Sequence, residues 1–197
     1  MMEVKPVTLI GTHVRLEPLT EAHVPGLAQI GIGQDFWNFM VYGDMNAEDD
    51  MRNWVQDMLR RAEKGGDLPF AVIHQESGRV AGATRFLNIV PHDYGLEIGG
   101  TWYGTEFQRT AVNTETKYLL LSHAFETLQA IRVQLKADSR NERSQKAMER
   151  IGAKREGILR NHMILPDGHI RHSVYYSIID SEWLGVKANL ELMLNRN

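Results

Sequence analysis

Residues 104–128 read GTEFQRTAVNTETKYLLLSHAFETL, a loop that runs straight into a helix, and the rest of the chain is arranged around this stretch. Asn113 is a favourable N-cap residue, and Thr114, Glu115 and Thr116 fill the first turn. Behind them Tyr118, Leu121, Ala124, Phe125 and Leu128 recur at helical spacing, which predicts an apolar stripe turned towards a core. A helix start offers unpaired backbone N–H groups and the positive end of the macrodipole. Arg109 and Lys117 add positive charge nearby. Such a place suits a phosphate or diphosphate. A surface loop that merely caps a core helix is the competing reading.

Upstream, Leu68 to Gln75, Val80 to Val90 and Gly95 to Tyr103 are apolar runs separated by turn residues, and they predict an antiparallel meander. Gly99 and Gly100 lie inside its last strand, where glycine marks a bulge or a close approach by backbone or ligand. Further upstream, Leu9 to Pro18 predicts a first strand, and Thr20 caps a short helix broken by Pro25 and Gly26. Asn46 begins a clearer helix, acidic in its first turn and basic at its end, with Met51, Trp54, Val55, Met58, Leu59 and Ala62 as a core-facing stripe. Between these helices, Asp35 to Gly43 is aromatic-rich, and it fits either core packing or the wall of a groove.

Downstream, Ile131 to Asp138 alternates apolar with polar residues, as a strand does. A second helix follows, capped by Ser139 or Asn141, with Ala147, Met148 and Ile151 facing inward. A hairpin turning at Pro166-Asp167-Gly168 and a last helix capped by Asp180 or Ser181 complete the chain. The order of elements predicts one mixed α/β domain over residues 1–197, with a right-handed crossover around residues 104–128.

Composition narrows the function. The chain has 197 residues, 43% hydrophobic and 24% charged, enough for a sizeable core. A net charge of −3 argues against general nucleic-acid binding. There is no cysteine, hence no disulfide, thiolate metal site or cysteine nucleophile. No segment approaches the ~18 apolar residues of a membrane span, and the first residues lack the apolar run of a signal peptide. A cytoplasmic location is expected. His162, His169 and His172 lie across the hairpin, but no supporting ligand set is evident and no metal site is expected.

From Thr101 to Trp183 the residues carry a resemblance. The ordered pieces are W-x-G-T-x-x-x-x-x-x-V-N-T-E-x-K, N-x-x-S followed by I-G-A, then E-G-x-L-R, D-G-x-x-R and E-W. Together they resemble the GCN5-related N-acetyltransferases, in particular the branch of ribosomal-protein alanine acetyltransferases. The resemblance implies a mostly antiparallel sheet, splayed between its fourth and fifth strands, here Gly95–Tyr103 and Arg132–Asp138. It implies acetyl-CoA in the gap, with coenzyme A as product, and an amine acceptor, either a protein N-terminus or a small molecule. Pantetheine amides would pair with strand backbone around Ile98, Gly99, Gly100, Thr101 and Trp102, and the diphosphate would sit on Gln108, Arg109, Thr110, Ala111, Val112, Asn113 and Thr114. Asn141 and Ser144 come from the N-x-x-S motif, and Lys146 joins Arg109, Arg140 and Arg143 as a candidate for the remaining phosphate charge. One departure stands out: the family's phosphate loop is glycine-rich, and this one has no glycine between Gln108 and Thr114.

Amide formation needs a base for the ammonium, donors for the oxyanion and a proton for the thiolate. Glu97 is the candidate base, against an ordinary place on a solvated strand face. Ser144 is the candidate on the thiolate side, against simple helix capping, and backbone N–H groups near Ile98 to Gly100 are candidate oxyanion donors. Glu156, Arg160 and Arg171 could form salt bridges on the hairpin or line the acceptor site. Two alternatives remain: an enzyme for a bulkier acyl-CoA, and a CoA-binding sensor that has lost catalysis. A homodimer through the hairpin or last helix is expected only by analogy.

Overall fold

The computed structural model describes residues 1–196. Eight strands form one sheet in the order β1-β2-β3-β4-β5-β6-β8-β7. They are β1 (Leu9–Ile10), β2 (Val14–Pro18), β3 (Leu68–His74), β4 (Val80–Val90), β5 (Gly95–Tyr103), β6 (Arg132–Asp138), β7 (Lys154–Ile164) and β8 (Ile170–Ile179). The expected first strand is therefore two pieces with a turn between them. The meander is as expected, and every neighbouring pair is antiparallel except β5–β6, which is parallel. A parallel pair needs a crossover, and residues 104–128 supply it.

The helices are α1 (Val24–Gly31), α2 (Glu48–Glu63), α3 (Ala111–Ser122), α4 (Glu142–Arg150) and α5 (Trp183–Leu194). Strand register assigns them to two layers. Phe86, Ile98, Val133, Leu135, Val174 and Tyr176 are buried on one face, where Phe86 stacks on His123 just after α3. On the other face Trp102 meets Trp54 of α2 and Trp37 at ring distances of 5.8 and 5.1 Å. Residues 35–43 thus contribute Trp37 to the core, where its indole N–H donates to the Gly31 carbonyl at 2.7 Å. Phe36, Phe39, Met40 and Tyr42 remain half-buried around it.

Helix α3 starts earlier than its sequence suggests. Thr110, not Asn113, is the N-cap, and its hydroxyl accepts from the Val112 N–H. Asn113 lies in the first turn. Glu115 does more than favour the dipole: its carboxylate accepts from the backbone N–H groups of Thr12, His13 and Val14 at 2.6–2.8 Å. The crossover helix thereby fastens the β1–β2 turn, and a side chain at Gly11 would collide with that carboxylate. Helix α2 starts later than the Asn46 expected to begin it, at Glu48 after N-cap Ala47. Asp50 accepts from the N–H groups of Asn46 and Ala47. At the other end of the chain, α5 follows a short helical turn over Asp180–Glu182, so neither Asp180 nor Ser181 caps it.

Candidate active site

β5 and β6 are joined by three residue pairs, Gly95↔Arg132, Leu96↔Val133 and Glu97↔Gln134. Beyond Glu97 the strands part, leaving the β5 edge from Ile98 onward without a ladder partner on that side. On its other side β5 carries a bulge: Ala83 pairs with Trp102 but Arg85 pairs with Gly99, so β5 holds one residue more. Gly100 occupies the bulge at φ +58°, a conformation that suits glycine. A Cβ there would also lie 3.4 Å from the Arg85 Nε.

The two walls of the gap end in helix starts. After β5, the loop from Gly104 leads to Thr110 and α3. Arg109 in this loop is exposed and has φ +62°. The left-handed residue of this glycine-free loop is thus an arginine, placed before the alanine and asparagine where glycine is usual in the family. After β6, Asn141 caps α4 by accepting the Ser144 N–H at 3.0 Å, as expected, and Ser144 is half-buried in the first turn. The topology therefore places Glu97, Ile98, Gly99, Gly100, Gln108 to Ala111, Asn113, Asn141 and Ser144 towards one end of the parallel pair.

Other expected residues turn elsewhere. The Thr101 hydroxyl lies on the α3 face, 2.8 Å from that of Thr84. Trp102 belongs to the aromatic cluster, while Val112 and Thr114 are 1% exposed. Lys146 is exposed and meets Glu142 at 3.4 Å. Lys117 is not a cation beside the loop: it is 7% exposed, its Nζ donates to Thr101 at 2.9 Å, and burial pushes its pKa down to about 7.

Glu97 sits at the apex of the gap, and it is not on a solvated face, being 1% exposed. Its Oε2 accepts from Asn88 Nδ2 and Gln134 Nε2, both at 2.9 Å, and Lys136 Nζ lies 3.0 Å from Oε1. Asn88 reaches it from a second bulge, on β4, where Asn88 has φ +48°. Oε1 thus carries fewer partners than Oε2. It lies beside Gly99, where a Cβ would stand 3.1 Å away. Asn88, Gln134 and Lys136 were not singled out from the sequence. The alternation of Arg132, Gln134 and Lys136 along β6 is the signal that finds the last two.

The same sheet face continues across β6, β8 and β7 as a polar surface. Arg132 makes a two-pronged pair with Glu156 and holds its carboxyl down at about 2; Glu156 also accepts from Ser177. Asp138, 1% exposed, accepts from the backbone N–H and guanidinium of Arg140, which stacks over Phe39. Arg171 donates to the Phe39 carbonyl. Residues 38–39 therefore form one border of this polar surface. Arg160 is exposed and lines a shallow hollow with Ile158, Leu159, Asn161 and His172. Among the described residues no group of three or more His, Asp or Glu could hold a metal ion, and no helix is long and apolar enough to cross a membrane.

Comparison with known proteins agrees with this geometry. Residues 13–154 match the family model described as an acetyltransferase (GNAT) domain. A curated protein of Bacillus subtilis (strain 168) named "Putative ribosomal N-acetyltransferase YdaF" is 28% identical over 151 residues, covering 77% of this chain and 80% of that one. A crystal structure from T. thermophilus, named as a "putative acetyltransferase", superposes with a TM-score of 0.89 at 40% identity, over 98% of this chain and all of that one. A GCN5-related N-acetyltransferase from Brucella melitensis gives 0.89 at 28% identity, over 97% and 86% of the two chains. The chain belongs to the GNAT family of N-acetyltransferases.

Proposed function

We propose that residues 1–197 form one catalytic domain that moves an acetyl group from acetyl-CoA to a primary amine, in a ternary complex and without a covalent enzyme intermediate. The observation that carries this reading is the splayed β5–β6 pair with Glu97 at its apex. The free β5 edge at Ile98–Gly100 offers backbone groups to the amides of a pantetheine arm, as an added strand would. The start of α3, with Arg109 beside it, suits a diphosphate. Ala111 and Asn113, where glycine is usual, lie in the first turn of α3 and neither has a positive φ, so the missing glycine no longer favours a sensor over an enzyme.

In this reading the ammonium of the acceptor gives its proton to Glu97 Oε1, the less engaged oxygen. The amine nitrogen then attacks the thioester carbon. Backbone N–H groups near Ile98 to Gly100 receive the negative charge that develops on the carbonyl oxygen. The C–S bond breaks, the nitrogen of the new amide gives up its extra proton, and the thiolate takes that proton with Ser144 holding the sulfur or a water beside it. Holding both substrates in line supplies a large part of the rate enhancement. The acceptor is a peptide N-terminus, in keeping with the name of the B. subtilis relative, or a small-molecule amine. The enzyme works in the cytoplasm, and a dimer through the β7–β8 hairpin or α5 is compatible with it.

Calorimetric titration with acetyl-CoA tests the reading: binding in the micromolar range is expected, and no binding at millimolar cofactor overturns it. Glu97→Gln and Ser144→Ala are each expected to lower kcat by about 100-fold, the ordinary size of a general acid–base contribution. Unchanged turnover in both removes these two assignments.

A further inference from the structure

A chain of hydrogen bonds on the polar face leads to a residue not yet assigned a role. The Arg171 guanidinium donates from Nη1 to the Phe39 carbonyl and from Nε to Ser173 Oγ, each at 3.0 Å. Ser173 Oγ lies 2.9 Å from His162 Nδ1, and His162 Nε2 lies 3.3 Å from the Tyr175 hydroxyl. Arg171 and Ser173 are 7% and 0% exposed. His162 and Tyr175 are half-buried.

Counting protons gives this chain a direction. Arginine only donates, so Ser173 Oγ accepts from Arg171. The serine's own O–H is fully buried and has His162 Nδ1 as its acceptor; were Nδ1 to carry the proton, that O–H would go unpaired at a cost. Nδ1 therefore accepts, Nε2 bears the imidazole proton, and Nε2–H points to the Tyr175 oxygen. Burial, with Lys136 and Arg171 nearby and against the opposing pull of Glu97, holds the His162 pKa below its ordinary value, which favours the neutral ring. The Tyr175 oxygen is thus an acceptor towards His162, and its own O–H is left to donate elsewhere. Tyr175 pairs across the strands with Lys136, which holds Glu97. It stands on β8, one strand beyond the gap, on the sheet face that carries Lys136 and Glu97.

We infer that Tyr175 grips the acyl acceptor, its hydroxyl donating to a carbonyl or carboxylate oxygen that the acceptor carries close to its amine. Arg171, Ser173 and His162 position that hydroxyl. The proposal rests on the amine-acceptor reading above and narrows it to amines with a neighbouring oxygen.

The probes are phenylalaninamide and phenethylamine, which differ by one carboxamide. The wild type is expected to favour the amide by about tenfold or more in kcat/KM, one well-placed hydrogen bond. In Tyr175→Phe the KM for phenylalaninamide rises about tenfold, the KM for phenethylamine and the Kd for acetyl-CoA stay within twofold, and the preference disappears. Ser173→Ala, which frees the imidazole to turn, moves the same KM in the same direction by less. The inference is overturned if Tyr175→Phe affects both amines equally, affects neither, or weakens acetyl-CoA. Should the wild type turn over neither amine, the proposed reaction has failed and the inference is judged by binding alone. Calorimetric titration of both amines into wild type and Tyr175→Phe then decides it, and equal affinities overturn it.

Discussion

On β3 every residue from Leu68 to Ile73 is buried, whereas on β6 Val133, Leu135 and Ala137 are buried and Arg132, Gln134 and Lys136 are only half so. The contrast extends to both halves of the sheet. From β2 to β5 the two faces are covered, by the aromatic segment and α2 on one side and by α3 on the other. In β6 and β8 one face is buried while the other is polar and bordered on one side by residues 38–39, and β7 at the edge has no buried residue. The first half holds the molecule together, and the second presents a chemical surface. Glu97 stands at their junction.

Substitutions sharpen this contrast. Phe86→Ala, in the covered half, should cost about 3–5 kcal/mol in denaturant unfolding, because the ring is fully buried against Phe70 and a cavity remains. At the junction, Lys136→Met should cost about 3 kcal/mol by leaving the Glu97 carboxylate buried without its cation. Adding Glu97→Gln should recover most of that loss; if it does not, the pair is not what joins the halves.

Lys117 gives a pH-dependent test. Its folded pKa is depressed from 10.5 to about 7 by burial, so between these values the unfolded chain binds more protons. Wild-type stability should therefore rise through this window by about 1.4 kcal/mol per pH unit relative to Lys117→Met. The variant's advantage is full below pH 7 and lost by pH 10.5, and parallel curves would show that the amine is not desolvated. The smallest effect is expected on the outermost strand, where Ile158 is 44% exposed: Ile158→Lys should change stability by less than about 0.5 kcal/mol. A larger loss, dependent on protein concentration, would mean that a second copy covers β7.

Much of this was legible in the sequence. Alternation and turn residues gave the meander, and Gly99-Gly100 announced the bulge that Gly100 makes. Residue type narrowed the α4 cap to Ser139 or Asn141, and Asn141 makes it. Less legible were contacts between residues far apart in the chain. Nothing local to Glu115 says that its carboxylate will meet Thr12, His13 and Val14. Lys117 reads as a surface cation until the crossover helix is packed on the sheet. Tyr175 and His162 become a pair only through a hairpin register that is shifted between Leu159 and Met163, a detail no hydrophobic pattern encodes.

The three-pair join between β5 and β6 has a consequence for cooperativity. Apart from the two-pair β1–β2 edge, this is the shortest ladder of the sheet, and it coincides with the gap. What keeps the two halves one folding unit is the crossover: Glu115 of α3 holds the β1–β2 turn, while the same helix packs against α5. The amides of β3 and those of β8 are thereby coupled in sub-global unfolding through a helix rather than through the strands between them. The cleft can widen at its mouth without parting the sheet at its root.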